Sequence, residues 1–160
     1  MEQRAELDKR GRPSNLLGME LHWSKKQVVL IQTRLIESMI SQHLDGSPGA
    51  KHSLPINPNT YRKAEQTKDK IEKPAKYQSL VGSLLFVARM TRPEISVHVN
   101  LLGRKAKDAT NTHWKTALQV LRYLGSTKSE GLALRKPQDL SLKIYTDAAY
   151  GGEDSRSQTG

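Results

Sequence analysis

The chain has 160 residues, of which 36% are hydrophobic and only 5% aromatic, enough for one modest core or pieces of two domains. It has no cysteine, which excludes disulfides and thiolate metal sites, and no apolar run of membrane-spanning length, so an intracellular (cytoplasmic or nuclear) protein with no membrane partner is expected. The net charge of +10 is concentrated: residues 51–129 hold 15 Lys/Arg against 5 Asp/Glu, while the segments on either side are nearly balanced. A localised basic surface fits a phosphate binder. It also fits a solvated face that only keeps the protein in solution, and charge alone does not separate the two.

The first dozen residues, MEQRAELDKRGR, carry no hydrophobic segment, so no signal peptide is expected. Residues 15–23 alternate, with Leu17, Met19, Leu21 and Trp23 on one side and Leu16, Gly18, Glu20 and His22 on the other. A polar turn, Ser24-Lys25-Lys26-Gln27, leads into a second strand over residues 28–31, which together predict a hairpin. A helix is expected from about residue 32 to 43, burying Leu35, Ile36, Met39 and Ile40 and ending before Gly46-Ser47-Pro48-Gly49. Residues 45–75, with four prolines and the charge-dense KAEQTKDKIEK, read as a long surface connection with one transient helical turn near residues 61–66.

From residue 76 to 127 the apolar period is helical three times over. Leu80, Leu84, Val87 and Ala88, widened by Val81 and Leu85, form the first stripe. Thr91 and Glu94 have the spacing of a capping box around Pro93, and Ile95, Val99 and Leu102 form the second stripe. Trp114, Ala117, Leu118, Leu121 and Leu124 form the third, with Gly125 placed to end it. Three amphipathic helices on short links can bury their stripes only on one another, which predicts a small bundle. Residues 131–135 read as a short strand and residues 140–148 as a longer one, with Leu140, Leu142, Ile144 and Thr146 alternating. Asp147 closes that strand just before Gly151 and Gly152, where a carboxylate could ligate Mg²⁺, although a lone Asp is more often simply exposed. The five histidines share no ligand spacing.

Several of these stretches together resemble the C-terminal part of a copia-type LTR-retrotransposon reverse transcriptase running into its ribonuclease H domain. LGMELH at residues 17–22 resembles the hairpin that grips the primer end in retroelement polymerases. YQSLVGSLL at residues 77–85 with TRPEI at 91–95 is similar to the family's Y-R-S-L-[IV]-G-S-L-L-Y…T-R-P-D-I. HWK…VLRYLGSTK, from His113 to Lys128, is similar to H-W-K-A-A…[VI]-L-R-Y-L-K-G-T-K. YTDAAYGG at residues 145–152 resembles Y-S-D-A-D-W-A-G, whose first Asp is a ribonuclease H metal ligand. The polymerase Y-x-D-D motif does not occur here, Ala149 and Tyr150 replace the second Asp and the Trp of the last pattern, and Gln78 stands where Arg is usual.

The resemblance implies an α+β fold: an N-terminal β-hairpin closing the palm (residues 1–31), a central thumb-like helical bundle (residues 32–129, with the linker at 45–75), and the start of an incomplete ribonuclease H-like sheet (residues 130–160). It implies that Gly18 and Met19 lie against the primer, that Lys115, Gln119 and Arg122 contact phosphates, and that Asp147 is the catalytic and metal carboxylate. Mg²⁺ would serve the complete family enzyme, with no tight binding expected of this stretch alone. The partners implied are an RNA/DNA template–primer duplex and other parts of the Pol polyprotein. The chain alone is expected not to catalyse, since the polymerase aspartates and most ribonuclease H carboxylates do not occur in it. Two other readings remain: a stand-alone basic helical module that binds nucleic acid, and a protein-interaction bundle that binds none.

Overall fold

Alternation over residues 15–23 does not produce one strand but two. β1 (Asn15–Leu16) and β2 (Met19–Trp23) pair antiparallel with Leu16 opposite Met19, so Leu17 and Gly18 form a two-residue turn. Both have positive φ, 49° and 79°, the backbone that a type I′ turn demands and that matches the twist of its flanking strands. A leucine there is strained, and it leaves Leu17 76% exposed. These coordinates are a computed structural model that describes residues 11–47, 49, 53–56, 69–137, 141–146, 148–149 and 158–159.

β3 (Gln27–Ile31) returns beside β2 after the polar turn, as expected. Its other edge is taken by β4 (Leu132–Arg135), which the sequence grouped with the strands that follow it. The result is a four-stranded antiparallel sheet in the order β1-β2-β3-β4, with the chain's helices inserted between its third and fourth strands. Gly131 makes that closure possible: a Cβ there would stand 2.1 Å from the carbonyl oxygen of Leu30, so only glycine lets the chain come this close to β3.

Among the described residues there are four helices: α1 (Thr33–His43), α2 (Pro74–Met90), α3 (Ser96–Arg104) and α4 (Asn111–Ser126), with a 3-10 turn (Pro93–Ile95) leading into α3. Their stripes make one core, in which Ile36, Leu80, Leu84, Val87, Ile95, Val99, Leu102, Leu121 and Leu124 lose all contact with solvent. Each such side chain contributes about 1.5–3 kcal/mol by leaving water, which is why α1, α2 and α3 hold without a side-chain N-cap. The fold is therefore α+β, with the bundle as its main body.

Several local expectations are corrected. Thr91 and Glu94 do not form a capping box. Thr91 ends α2 and its hydroxyl donates to Gln32 Oε1 at 2.8 Å, while Glu94 accepts from Arg92 Nε at 2.6 Å. The capping box lies instead at α4, where the Thr110 hydroxyl accepts from the His113 N–H and His113 Nδ1 accepts from the Thr110 N–H. The α4 stripe is rotated from the expected one: His113, Thr116 and Val120 are buried, whereas Trp114 and Leu118 reach only the rim of the core. Gly125 lies inside the helix, which runs to Ser126 and is capped at Thr127.

The connection after α1 is less of a loop than its composition implied. Ile56 is buried in the core, and Lys70 bridges to Thr110 while Asp69 accepts from the Asn111 backbone and side-chain amides. The helical turn expected near residues 61–66 lies outside the described residues. The long strand expected over residues 140–148 is not formed where it is described: residues 141–146 are irregular, with Leu142 83% and Tyr145 89% exposed. An alternating segment becomes a strand only where it joins a ladder, and alternation alone does not supply one. Only a two-residue pairing follows, β5 (Ala148–Ala149) with β6 (Gln158–Thr159).

Candidate nucleic-acid interface

α4 is the element that carries the predicted phosphate row. Thr110 fixes its first turn, Thr116 Oγ1 donates back to the Thr112 carbonyl at 2.8 Å, and Ala117, Val120, Leu121 and Leu124 seat its inner face with no exposure. Such a helix is held in rotation as well as in position. Its flank presents Lys115 exposed to solvent, with Gln119 and Arg122 half-buried. From Lys115 to Arg122 is seven residue steps, about 10 Å along the axis at roughly 1.5 Å per step. Arg122 leans toward the chain beyond α1: its Nε lies 3.9 Å from where a Cβ on Gly49 would stand. Two cations and an amide on one rigid flank can meet successive phosphates of one strand without reading sequence.

Gly18 and Met19 lie on a different element, the turn between β1 and β2. Gly18 is exposed, with nothing within 4 Å of the position a side chain would take, so its backbone is open to close approach. Met19 is only 5% exposed, so its side chain supports the turn from beneath and offers a ligand no surface of its own. Asp147 lies outside the described residues, and among those residues no three His, Asp or Glu side chains gather as a metal site would require.

The basic excess of residues 51–129 divides into distinct uses. Lys128 is spent on Glu37, at 2.6 Å. Arg92 is 1% exposed and holds the bundle together: Nη1 and Nη2 donate to the Thr127 carbonyl and hydroxyl at 2.9 and 2.7 Å, Nε to Glu94, and the guanidinium lies 5.5 Å from the Tyr123 ring centroid. Other cations line open grooves. Lys73 and Lys76 border a depression of about 260 Å³ beside Asn111 and Trp114, and Arg89 and Arg104 border another of about 590 Å³ between α2 and α3. The Lys73/Lys76 pair beside Trp114 was absent from the predicted set, although the Lys-rich run entering α2 was the available signal. His43 packs edge-on against Trp114, with centroids 5.8 Å apart, and burial together with the Lys76 charge holds its pKa below the ordinary histidine range.

No helix among the described residues is long and apolar enough to cross a membrane. No protein-family model matches the chain, and no solved structure does. Curated relatives exist. The chain is 32% identical over 143 residues to the putative transposon Ty5-1 protein YCL074W of Saccharomyces cerevisiae, covering 88% of this chain and 46% of that protein. It is 40% identical over 84 residues to the Retrovirus-related Pol polyprotein from transposon RE2 of Arabidopsis thaliana, which is 52% of this chain and 6% of that protein. A likeness of similar extent, 37% over 84 residues, is to the Secreted RxLR effector protein 161 of Plasmopara viticola. The chain thus spans about half of the first of these relatives and a small part of the second, and it is homologous, at modest identity, to retrotransposon Pol sequence.

Proposed function

We propose that this chain is the stretch of a copia-type reverse transcriptase that follows the polymerase centre, combines a primer-contacting hairpin with a thumb-like bundle, and leads toward ribonuclease H. In this reading its role is to hold an RNA/DNA template–primer duplex by the phosphates, with catalytic carboxylates and Mg²⁺ contributed by the complete polyprotein. Mg²⁺ would supply charge stabilisation of the transferring phosphoryl group, and Asp147 would be the one ligand drawn from these residues. The observation that supports the reading most is the flank of α4: Lys115, Gln119 and Arg122 share one side of a helix whose opposite side is wholly buried. The exposed Gly18 turn agrees with it, since backbone there can approach a strand end closely.

The test is binding of a labelled RNA/DNA hybrid duplex, followed by fluorescence anisotropy across a salt series. About five phosphate contacts give a log–log slope near −4.5, each contributing roughly −0.9 through counterion release. Lys115→Ala with Arg122→Ala should flatten the slope by about two units while the far-UV spectrum stays unchanged. A flat salt response, or no change in the double variant, removes duplex binding from this flank and leaves the protein-interaction reading.

A further inference from the structure

We propose a second nucleic-acid site, for an unpaired strand, at the end of the sheet that carries the turn at residues 24–27. The site is built from three stretches of chain that are remote in sequence. The β2–β3 turn brings Lys25 and Lys26, β4 brings Arg135 and the following Lys136, and the stretch before β1 brings Arg12. With Trp23 they surround an open cleft of about 370 Å³, and no acidic side chain lines it among the described residues. None of the five cations takes part in an ion pair among the described residues, although like charges this close repel one another. That repulsion is relieved by a polyanion.

The cluster is held in place by backbone and by the indole. Ser24 N–H donates to the Gln27 carbonyl at 2.9 Å and Gln27 N–H to Ser24 Oγ at 3.2 Å, which closes the turn. Lys136 N–H donates to the Lys26 carbonyl at 2.9 Å, so the two basic stretches are tied side by side. Trp23 Nε1 donates to the Pro13 carbonyl at 2.7 Å, and the Arg12 guanidinium lies 5.3 Å from its ring centroid. The ring is thereby fixed, yet the residue stays 44% exposed, in a row with Val28 and the 50% exposed Leu134 on one face of the sheet. An immobilised aromatic among cations is the arrangement that stacks an unpaired base while its phosphates are neutralised. A duplex keeps its bases stacked inside and could use only the charges, so the indole favours a single strand.

The site is independent of the α4 flank, and one experiment separates them. Trp23 and Trp114 are the two tryptophans of the chain, so Trp114→Phe leaves Trp23 as the sole indole reporter. Titration with a short oligo-dT should quench it at low salt, with a hairpin duplex of equal charge quenching far less. Lys25→Ala, Lys26→Ala and Lys136→Ala together should flatten the oligo-dT salt slope by about two units, at roughly −0.7 per contact for single strands. In the otherwise wild-type chain, Trp23→Leu should weaken anisotropy-detected oligo-dT binding about tenfold or more, in line with one stacked base. Lys115→Ala with Arg122→Ala should leave the quenching intact. Binding without quenching, equal response to the duplex, or loss of quenching in the Lys115/Arg122 variant alone would each overturn the proposal.

Discussion

The bundle and the sheet are stabilised in different ways. In the bundle, residues from all four helices lose contact with water, and isolated polar groups are fitted around that core. In the sheet, Met19 is the only buried apolar side chain, β3 is half-buried along its whole length, and Trp23 and Leu134 stand in solvent. The sheet therefore depends on its ladder of backbone hydrogen bonds and on polar ties to the bundle, two of them made by buried side chains. One is Gln32 to Thr91, where the end of β3 meets the end of α2. The other is Arg92 to Thr127, which fixes the chain shortly before it becomes β4. A region stabilised by apolar burial spreads each loss over many neighbours, whereas one stabilised by a few directed contacts fails at particular atoms.

Arg92→Ala should break this division most severely. It removes charge-assisted bonds to the Thr127 carbonyl and hydroxyl and leaves a void where the largest fully buried side chain stood. The loss should be about 3 kcal/mol, since bonds to charged groups are worth roughly 1.5–3 each and are partly replaced by water. Glu94 and Glu130 add little, because both are substantially exposed and keep their hydration. Arg92→Lys should recover only a small part, as an ammonium cannot reproduce the fork. Urea unfolding followed by circular dichroism measures this; a loss under 1 kcal/mol would show that the guanidinium is dispensable and that apolar packing alone holds the corner.

Gly131→Ala should act on the other region. The new Cβ meets a backbone carbonyl, which cannot rotate away, so β4 must withdraw from β3 at a cost of about 1–3 kcal/mol. Amide exchange should quicken at the residues of β3 and β4, while Leu80, Leu84 and Val120 stay protected. Uniform loss of protection through α2 and α4 would mean instead that sheet and bundle unfold as a single cooperative unit.

The same contrast governs what could be read from the sequence. Burial on one side of a helix imposes a period of 3.6, so Leu80, Leu84, Val87, Val99 and Leu121 declared both their elements and their burial. The sheet leaves a weaker imprint. Leu17-Gly18 passed as strand because alternation continues through it and leucine is not a turn former. β4 finds β3 across about a hundred residues, a pairing that no local pattern encodes. Arg92 looked like part of the basic surface, and only the geometry shows it withdrawn into the core. The converse happened at the sheet's end: Arg12, Lys25, Lys26, Arg135 and Lys136 come from stretches that are nearly neutral as segments, and folding concentrates their charge. The α4 flank was legible because its three residues lie within two turns of one helix.

Thr110→Ala sharpens the comparison at smaller scale, inside the bundle. It removes the hydroxyl that accepts from the His113 N–H and lies 2.7 Å from His113 Nδ1, while the reciprocal bond from the Thr110 backbone N–H to that nitrogen can persist. Loss of an N-cap costs about 1 kcal/mol, and the buried position of Thr110 leaves water little access to replace it. Thermal melting of the variant should show a modest, uniform fall, with the phosphate row still in place and duplex binding unchanged at low temperature. Weakened binding at full helicity would instead tie the orientation of Lys115 directly to the first turn of α4.

The smallest effect expected is on pH dependence, and it too is confined to the bundle. His43 lies in the last turn of α1, where burial first and the Lys76 charge second lower its pKa below the ordinary value near 6.5; burial lowers that of His98. Both groups therefore bind protons less readily in the folded chain than in the unfolded one. Their contribution is fully present above pH 6.5 and is lost as the pH falls through 6.5 toward the folded-state values, with no loss on the alkaline side. The position of His43 at a helix C-terminus acts in the opposite sense, favouring the imidazolium, but burial and Lys76 outweigh it. His43→Gln should flatten the acid-side slope of stability, and His43→Gln with His98→Gln should flatten it further. Salt separates the two causes at His43, since it screens Lys76 and leaves desolvation untouched. Denaturant midpoints between pH 5 and 8, taken at low and high salt, measure this; a midpoint that rises on acidification would place the imidazolium, and not the neutral ring, against Trp114.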